Sequence, residues 1–355
     1  MARALRLAER GLYTTTPNPR VGCVIARGDE ILGEGFHERA GEPHAEIHAL
    51  RRSGAQARGA TVYVTLEPCS HHGRTPPCVD ALLEAGVARV VAAMQDPNPK
   101  VAGEGLRRLR SAGIAVQCGL YEMDARELNL GFATRMIRGR PWLRIKTAAS
   151  LDGRTALRNG QSQWITGVAA RRDAHRWRAR SCAVMVGVGT LLADNPRLTV
   201  REVKTTRQPL RIVVDRQLEI PLDARILEGG HTLIATAEDH PEKMRQLEHL
   251  GAQVVQLPNP QGKVDLLALM RELARRELNE VLVESGSRLN GALLRAGVVD
   301  EVVVYLAPQL LGDMARGMFD LGELTSLDQR VELTICHARR IGSDLRVVAR
   351  LTRDD

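Results

Sequence analysis

The stretch "EPCSHHGRTPPC", Glu67 to Cys78, places two cysteines and two histidines in a proline-rich loop directly after the apolar strand pattern "ATVYVTL". Upstream, "EPHAEIHAL", residues 42–50, opens a helical pattern with His44 and Glu46 in its first turn. Residues two apart lie about 200° apart on an ideal helix, so both can approach one metal ion only over the helix end. Strand ends and helix starts meet at the carboxyl edge of an α/β sheet. The two stretches therefore predict an α/β fold with a metal site at that edge.

The residue types at this predicted site suit hydrolytic deamination. That chemistry needs a metal held by three protein ligands with one position open for water, and a nearby carboxylate that carries protons. His44, Cys69 and Cys78 would supply the ligands, and Glu46 would supply the carboxylate. Zinc deaminases show the pattern H-x-E followed by P-C-x-x-C, whereas eight residues separate the two cysteines here.

Two other interpretations of the cysteines have to be weighed. A structural zinc would need a fourth ligand, which His71 or His72 could provide, but a poised glutamate favours a catalytic ion. A disulfide is not expected, because the six cysteines are scattered along a chain that is predicted to be cytoplasmic. Three cysteines in apolar, strand-like runs are predicted to be buried, inert thiols: Cys23, Cys118 and Cys182.

Composition narrows the class of protein. A chain of 355 residues, 44% hydrophobic and 26% charged, is typical of two soluble globular domains. No apolar run approaches the roughly 18 residues of a membrane helix, and the N-terminus lacks the features of a signal peptide. The 50 Lys and Arg against 42 Asp and Glu give a charge of +8, which favours phosphate-bearing partners. Aromatic residues are only 3% of the chain, so small phosphorylated ligands are expected rather than nucleic acid.

The pattern along the chain predicts two α/β domains. Residues 1–140 alternate short strands and helices, which indicates a partly parallel sheet covered by helices on both faces. Turn residues 27–30 join two apolar runs into a predicted hairpin, and residues 123–138 are predicted to form one helix. The basic stretch "RGRPW", residues 138–142, marks the boundary, so residues 141–355 form the second domain.

The second domain carries two weaker motifs. "GVGT", residues 187–190, follows a strand but lacks the third glycine of a G-x-G-x-x-G pattern, because Leu192 takes its place. The strand that ends at Glu284 leads through Ser285-Gly286-Ser287 into a helix, whose first N–H groups could bind a phosphate. An ordinary strand-to-helix turn explains that loop equally well.

"TTTPNPRVGCVIARGDEILGEGFHERAGEPHAEIHAL" and "TVYVTLEPCSHHGRTPPC" strongly resemble the bifunctional deaminase/reductases of riboflavin biosynthesis, whose deaminase half belongs to the cytidine-deaminase superfamily. The long spacing between the two cysteines is a mark of this family. The resemblance implies a three-layer N-terminal domain with three zinc ligands: His44, Cys69 and Cys78. It further implies that Glu46 shuttles protons, that Asn18 contacts the pyrimidine ring, and that the loop 70–77 walls the substrate pocket.

"KTAASLDGRTA", "SQWIT" and "LLADNPRLTVR" resemble the reductase half of the same family, whose fold is similar to that of dihydrofolate reductase. The resemblance implies NADPH contacts at Ala148, Trp164, Thr190, Asp194, Arg216, Gly286, Ser287, Arg288, Leu289, Asn290, Gly291 and Ala292. It implies substrate contacts at Ser162, Arg178, Leu198, Arg201 and Glu284. Arg178 and Arg201 suit the substrate phosphate, since guanidinium binds phosphate in a fork. Arg216 would favour NADPH over NADH. Lys146 would face the region of the substrate and cofactor contacts. For Trp164, a position in the hydrophobic core is an alternative to a contact with NADPH.

The resemblance thus implies an enzyme with two reactions. Its zinc domain would deaminate 2,5-diamino-6-ribosylamino-4(3H)-pyrimidinone 5′-phosphate, and its second domain would use NADPH to reduce the ribosyl group, giving 5-amino-6-ribitylamino-uracil 5′-phosphate. A homo-oligomer formed through the reductase domain is expected on the same resemblance. Two alternatives are a nucleic-acid-editing zinc deaminase with an RNA-binding C-terminal domain, and a zinc-stabilised binding module without turnover.

Overall fold

The computed structural model describes residues 1–71, 76–99 and 101–352, and the chain divides into two compact units, Met1–Arg140 and Pro141–Asp355. The strands and helices of the first unit are α1 (Ala2–Glu9), β1 (Gly22–Arg27), β2 (Glu30–Phe36), α2 (Ala45–Ser53), β3 (Thr61–Val64), α3 (Cys78–Glu84), β4 (Arg89–Ala92), α4 (Glu104–Ser111), β5 (Ala115–Cys118), α5 (Glu122–Leu128) and α6 (Leu130–Arg138). Its sheet has the order β2-β1-β3-β4-β5. The strand β1 is antiparallel to both neighbours, whereas β3, β4 and β5 are parallel.

Helices cover both faces of this sheet. On one face, Cys23 and Val62 pack in a core that includes residues of α2, α3 and α4. On the other face, Val24 packs against Ala4 and Leu7 of α1. Successive residues of a strand point to opposite faces, so the two cores lie on either side of the sheet. This arrangement confirms the predicted three-layer fold and the hairpin formed by β1 and β2.

A glycine fixes where α2 begins relative to the sheet. A Cβ atom at Gly35 in β2 would lie 2.5 Å from the Cβ of His48 and 2.6 Å from the carbonyl oxygen of Ala45. Such distances are too short for any other residue, so the absence of a side chain lets α2 lie directly on β2. The residue that precedes α2 is His44, which is therefore placed by this contact.

Two predictions for the first unit were wrong. Residues 123–138 form two helices instead of one, because the buried Asn129 leaves the helical conformation and exchanges two hydrogen bonds with the backbone of Arg20, at 2.8 and 3.0 Å. Cys118 is exposed, because it ends β5, an edge strand that has little packed against it. Cys23 and Cys182 are buried as predicted.

The second unit is built on a larger sheet with the order β11-β10-β9-β8-β12-β6-β13-β16-β15. Its elements are β6 (Trp142–Ser150), β7 (Arg154–Ala156), α7 (Val168–Arg180), β8 (Ala183–Gly187), α8 (Val188–Asp194), β9 (Leu210–Val214), β10 (Thr232–Thr236), α9 (Pro241–His249), β11 (Ala252–Gln256), α10 (Leu266–Arg275), β12 (Glu280–Val283), α11 (Ser287–Arg295), β13 (Glu301–Ala307), β14 (Arg316–Gly317), β15 (Leu333–Ile341) and β16 (Asp344–Leu351). The strands from β11 to β13 in that order are parallel, and the hairpin of β15 and β16 extends the sheet in antiparallel fashion. Within the described ranges, no helix has the length and apolar character needed to cross a bilayer.

The parallel strands are buried on both faces, as their continuous apolar sequences indicate. Leu273 of α10 and Leu293 of α11 pack on one face, and Leu247 of α9 and Leu191 of α8 pack on the other. Because the strands are parallel, the loops that follow β6, β8, β9 and β12 emerge at the same sheet edge. These loops carry most of the positions predicted to bind NADPH and substrate.

Candidate metal centre and reductase site

Three segment ends of the first unit converge on one point. His44 is the residue before α2, Cys78 is the first residue of α3, and Cys69 lies in the segment that follows β3. The backbone N–H of Cys78 points at the sulfur of Cys69 at 3.3 Å, and the N–H of Val79 donates to the Cys69 carbonyl at 3.2 Å. The start of α3 is thereby joined directly to the segment that carries the other cysteine.

The distances among the three side chains fit a metal ion with nitrogen and sulfur ligands. Nδ1 of His44 lies 3.3 Å from Sγ of Cys78 and 3.5 Å from Sγ of Cys69, and all three ligand atoms lie within 4.8 Å of one another. In tetrahedral zinc, with Zn–N of about 2.0–2.1 Å and Zn–S of about 2.3 Å, neighbouring nitrogen and sulfur ligands are about 3.6 Å apart. Two thiols and one imidazole around a common centre therefore match a three-ligand zinc site.

The two cysteines differ in acidity because they share a hydrogen bond. The hydrogen bond from Cys78 lowers the pKa of Cys69, and His44 adds to this effect. The same hydrogen bond, together with burial, raises the pKa of Cys78. The pKa of His44 is raised by its hydrogen bond to Cys69. One thiolate is thus already favoured at neutral pH, which suits a site that binds a cation.

Glu46 lies in the first turn of α2 with only 3% of its surface exposed. Burial and the neighbouring Cys69 together raise its pKa to about 7, although His44 and a hydrogen bond with Cys78 act in the opposite direction. A carboxyl group with a pKa near neutral can both accept and release a proton at physiological pH. The side chain therefore has the location and the acidity of a proton carrier beside the metal ligands.

Asn18 is held beside the metal ligands by a histidine that the sequence did not single out. Nδ2 of Asn18 lies 3.0 Å from Nε2 of His37, whose Nδ1 lies 3.2 Å from the carbonyl oxygen of Pro43. Since a carbonyl only accepts, Nδ1 of His37 carries the proton and Nε2 accepts from the Asn18 amide. The ring of His37 also meets the ring of His44 edge-on, with centroids 5.3 Å apart. No local pattern marked His37, which lies in the irregular stretch after β2.

Part of the predicted substrate loop lies outside the described residues. His72, the second candidate for a fourth zinc ligand, belongs to that part, as do residues 73–75. His71 is described and is exposed. It is not a member of the cluster formed by His44, Cys69 and Cys78.

In the second unit, Glu284 follows β12 and forms the centre of a buried charge cluster. Its carboxylate accepts two hydrogen bonds from Arg178, at 2.5 and 3.0 Å, and lies 3.7 Å from Nζ of Lys146. Burial alone would raise the pKa of Glu284, but Arg178 and Lys146 outweigh it and lower the pKa to about 2. A third nitrogen of Arg178 donates to the carbonyl of Thr199 at 3.1 Å. The fork of Arg178 that was predicted to bind phosphate is therefore occupied by Glu284.

Arg201 is the more accessible arginine of this region. Arg201 is an exposed residue, but partial burial of its guanidinium and the positive charge of three nearby arginines lower its pKa: Arg178, Arg197 and Arg225. Its backbone N–H donates to Nδ1 of the buried His175 at 3.2 Å, another residue that the sequence analysis missed. Positive charges gathered in this way attract an anionic group.

The loops after β8 and β12 are tied together. The N–H of Gly286 donates to Oγ1 of Thr190 at 3.0 Å, and the N–H of Gly187 donates to Oγ of Ser285 at 3.0 Å. One of the N–H groups that was expected to be free for a phosphate is thus engaged by Thr190. The residues that follow in α11 partly face inward: Asn290 and Gly291 are both buried.

The remaining predicted positions differ in accessibility. Trp164 is 69% exposed and stacks on Arg171, with 4.5 Å between the guanidinium and the ring centroid, so it is not a core residue. Leu198 is buried, which leaves its backbone rather than its side chain for a ligand. Arg216 is half exposed and lies 3.7 Å from Glu238. Three further positions are placed as follows: Ala148 lies in β6, Asp194 is the last residue of α8, and Ser162 lies in the segment between β7 and α7.

Comparison with known proteins covers both units. Residues 141–347 match the family "RibD C-terminal domain", and residues 1–94 match the family "Cytidine and deoxycytidylate deaminase zinc-binding region". A curated relative, "Riboflavin biosynthesis protein RibD" of Escherichia coli (strain K12), is 51% identical over 362 residues, which cover 97% of this chain and 96% of the relative. The protein of the same name from Aquifex aeolicus is 42% identical over 347 residues, with 97% and 96% covered.

Two solved structures resemble the whole chain. Acinetobacter baumannii RibD has a TM-score of 0.93 and 43% sequence identity, and the match covers 99% of this chain and 98% of that one. A diaminohydroxyphosphoribosylaminopyrimidine deaminase/5-amino-6-(5-phosphoribosylamino)uracil reductase from Thermotoga maritima has a TM-score of 0.88 and 33% identity, with 99% and 97% covered.

Proposed function

Because this chain belongs to the RibD family of bifunctional deaminase/reductases of riboflavin biosynthesis, we propose that its first unit is the zinc-dependent deaminase and its second the NADPH-dependent reductase. The substrates are those expected from the sequence: the diamino-ribosylamino-pyrimidinone 5′-phosphate for the deaminase, and its deaminated product for the reductase. The observation that carries the deaminase assignment is the meeting of His44, Cys69 and Cys78 beside a buried Glu46. Zn²⁺ and NADPH are accordingly the cofactors of this enzyme.

In the deaminase, His44, Cys69 and Cys78 hold the zinc ion. Zinc with three protein ligands keeps one position open and makes a water molecule nucleophilic near neutral pH. Glu46 accepts a proton from the attacking water and passes it to the amino group that leaves as ammonia. Its pKa of about 7 suits both transfers, since neither the acid nor the carboxylate is strongly favoured at that pH.

Asn18 orients the pyrimidine ring next to these ligands. Because its Nδ2 donates to His37, its Oδ1 is the atom that would accept a hydrogen bond from the ring. His37 holds the amide in this orientation through its own bond to the Pro43 carbonyl.

In the reductase, Glu284 and Arg201 bind different parts of the substrate. Glu284 is ionised and fixed by Arg178 and Lys146, so it presents a carboxylate that accepts hydrogen bonds from the sugar or the ring. Arg201 binds the 5′-phosphate within the surrounding positive charge. When bound, NADPH supplies the hydride that reduces the ribosyl group.

The loops after β8, β9 and β12 would hold NADPH. Thr190 and the residues at the start of α11 would contribute contacts to it, as would Trp164 and Ala148. Arg216 follows β9 and pairs with the 2′-phosphate, although it must leave Glu238 to do so. The match of residues 141–347 to a reductase family argues against an RNA-binding second domain, and small phosphorylated molecules are therefore the proposed partners.

A second copy of this chain is the proposed protein partner, and β15 is the surface that joins the two. This strand pairs only with β16 among the described residues, and nearly all of it is exposed, including Leu333 at 46% and Ile335 at 65%. An exposed edge strand with apolar side chains favours pairing with another strand, and two identical strands satisfy each other around a two-fold axis. Sedimentation should give a dimer for the wild type and a monomer for Ile335→Asp, whereas a monomeric wild type would refute this surface.

A cytoplasmic location is proposed on the state of the cysteines. All six are free thiols, and the metal site depends on two of them. Reducing compartments preserve thiols, whereas oxidising ones favour disulfides. Fractionation of cells that make the protein should recover it with cytoplasmic enzymes; recovery from an oxidising compartment would contradict this location.

The two activities can be tested in one assay. NADPH oxidation is followed by absorbance for the wild type and for Glu46→Gln, each supplied separately with the diamino substrate and with its deaminated product. The wild type should consume NADPH with both, and Glu46→Gln only with the deaminated product, which serves as the internal control. Oxidation of NADPH by the wild type with neither compound would overturn the reductase assignment.

A further inference from the structure

The zinc site has a geometric difficulty that its ligands alone do not solve. In a C-x-x-C pattern, the two cysteines are three residues apart, close to the ~3.6 residues of one helical turn, so a single turn can set their separation. Here eight residues separate Cys69 from Cys78, and closing a loop of that length costs conformational entropy. The bonds from the N–H groups of Cys78 and Val79 to Cys69 hold the two cysteines together directly, and contacts from a neighbouring element can add to them.

The helix α4 touches the segment that carries Cys69. The buried carboxylate of Glu67, two residues before Cys69, accepts hydrogen bonds from the N–H groups of Gly105 at 2.8 Å and Leu106 at 3.2 Å. A Cβ atom at Gly105 would lie 2.1 Å from the carbonyl oxygen of Pro68, so the helix and the segment are in direct backbone contact. The first turn of α4 is thus fixed against the residues that lead to Cys69.

One turn further along α4, Arg108 contacts both cysteine segments at once. Its Nη1 donates to the carbonyl oxygen of Ser70 at 3.0 Å, and its Nη2 donates to Oδ1 of Asp80 at 2.6 Å. Ser70 follows Cys69 directly, and Asp80 lies two residues after Cys78 in the first turn of α3. A planar guanidinium presents its donors at fixed angles, so both contacts are held in one geometry.

We propose that Arg108 is a positioning residue of the metal site. By bridging the segments that carry Cys69 and Cys78, it helps to fix the separation of the two cysteines, as a single helical turn can do in a C-x-x-C pattern. The proposal rests on the zinc-ligand assignment of the proposed function. Arg108 does not touch the metal ligands' side chains; it acts through the Ser70 carbonyl and the Asp80 carboxylate. Residues that orient metal ligands in this way typically change metal affinity by roughly 10- to 100-fold when replaced.

The neighbouring Arg107 is a matched control. It lies on the same helix and pairs with Glu104, and its side chain is 66% exposed. Arg107→Met and Arg108→Met therefore make the same chemical change on the same helix, but only the second removes the bridge. Asp80→Asn weakens one arm of the bridge and leaves the bond to Ser70 in place.

The test measures the rate at which the full-length zinc protein loses its metal to a chromogenic chelator. Arg108→Met should release zinc about tenfold faster than the wild type or more, Asp80→Asn should be intermediate, and Arg107→Met should match the wild type. The cobalt-substituted protein gives a second readout, because the intensity of its visible spectrum reports tetrahedral thiolate coordination. Arg108→Met should perturb that spectrum, whereas Arg107→Met should not.

Equal release rates for Arg108→Met and the wild type would overturn the proposal, as would equal acceleration by Arg107→Met. If Arg108→Met unfolds without metal, Asp80→Asn decides the question by the same comparison, and a wild-type rate for it would count against the bridge. A wild-type chain that binds no zinc at all would refute the proposed function itself, and this inference with it.

Discussion

Replacing Glu67 with glutamine should destabilise the first unit by about 2–6 kcal/mol. Oε1 of Glu67 accepts from the N–H groups of Gly105 and Leu106, and Oε2 accepts from those of Asp96 and Gly103, at 2.8 to 3.2 Å. A glutamine keeps one acceptor oxygen and puts an amide NH₂, which cannot accept, in place of the other. Two of the four backbone N–H groups then lose their partner, at about 1–3 kcal/mol each.

Calorimetry of the zinc-free protein would measure this loss in the transition of the first unit, and hydrogen exchange would locate it. One of the two pairs of amide protons, either those of Gly105 and Leu106 or those of Asp96 and Gly103, should exchange faster in Glu67→Gln than in the wild type. Glu104→Gln is the control, because the side chain of Glu104, on the same helix, is 42% exposed and its carboxylate pairs only with Arg107 among the described residues. A loss below about 0.5 kcal/mol in Glu67→Gln, or an equal loss in the control, would refute the assignment of this carboxylate as a buried four-fold acceptor.

Three further outcomes are expected. Gly35→Ala should push α2 away from β2 and cost about 1–3 kcal/mol in a denaturant titration while also lowering zinc affinity; an unchanged midpoint would contradict the close packing. Arg201→Met should raise KM for the phosphorylated reductase substrate by about 10-fold or more, and KM for the dephosphorylated analogue should not change. The control is Arg172→Met, which replaces an exposed arginine of α7 and should change KM for neither compound. Burial and the nearby Arg178 and Arg201 lower the pKa of His175 to about 4. Between pH 6.5 and pH 4, the unfolded chain therefore binds a proton at this histidine that the folded chain does not bind. The free energy of unfolding should fall as the pH is lowered through that range. His175→Asn should lose less stability over that range in urea titrations, and an equal loss would show that other groups control it.

Much of the fold was predictable because its signals are local. The turn residues between β1 and β2, the proline before Cys78 and the glycine after α2 each determine the conformation of a few neighbouring residues. The cluster of His44, Cys69 and Cys78 was predictable for a related reason: His44 and Cys78 lie where helices begin, and Cys69 lies in the segment after a strand, where the sequence pattern changes. Their grouping then follows from the rule that strand ends and helix starts share one sheet edge.

The rest depends on pairs that are far apart in sequence. Asn129 ends a helix by bonding to Arg20, 109 residues away, and no pattern within the helix announces it. The fork of Arg178 is taken by Glu284, 106 residues further on, so a residue type that suits phosphate is satisfied by a carboxylate instead. Exposure of Cys118 likewise depends on its strand being at the sheet edge, which the sequence of the strand does not show.

The position of β6 in the second unit has a consequence for the order in which the chain is made. This strand is the first of its unit, yet both of its sheet neighbours, β12 and β13, are among the last: Trp142 aligns with Glu280, and Arg144 with Glu301. Arg144 is fully buried and takes its carboxylate partners from the same late strands, 136 and 157 residues downstream. At about 5–20 residues per second, β6 waits roughly 7–30 s on the ribosome before either neighbour is synthesised. Throughout that interval, the apolar strand β6 has neither of its neighbouring strands to pair with. We therefore expect nascent chains to need a chaperone from the emergence of residue 142 to the emergence of about residue 307, where β13 ends.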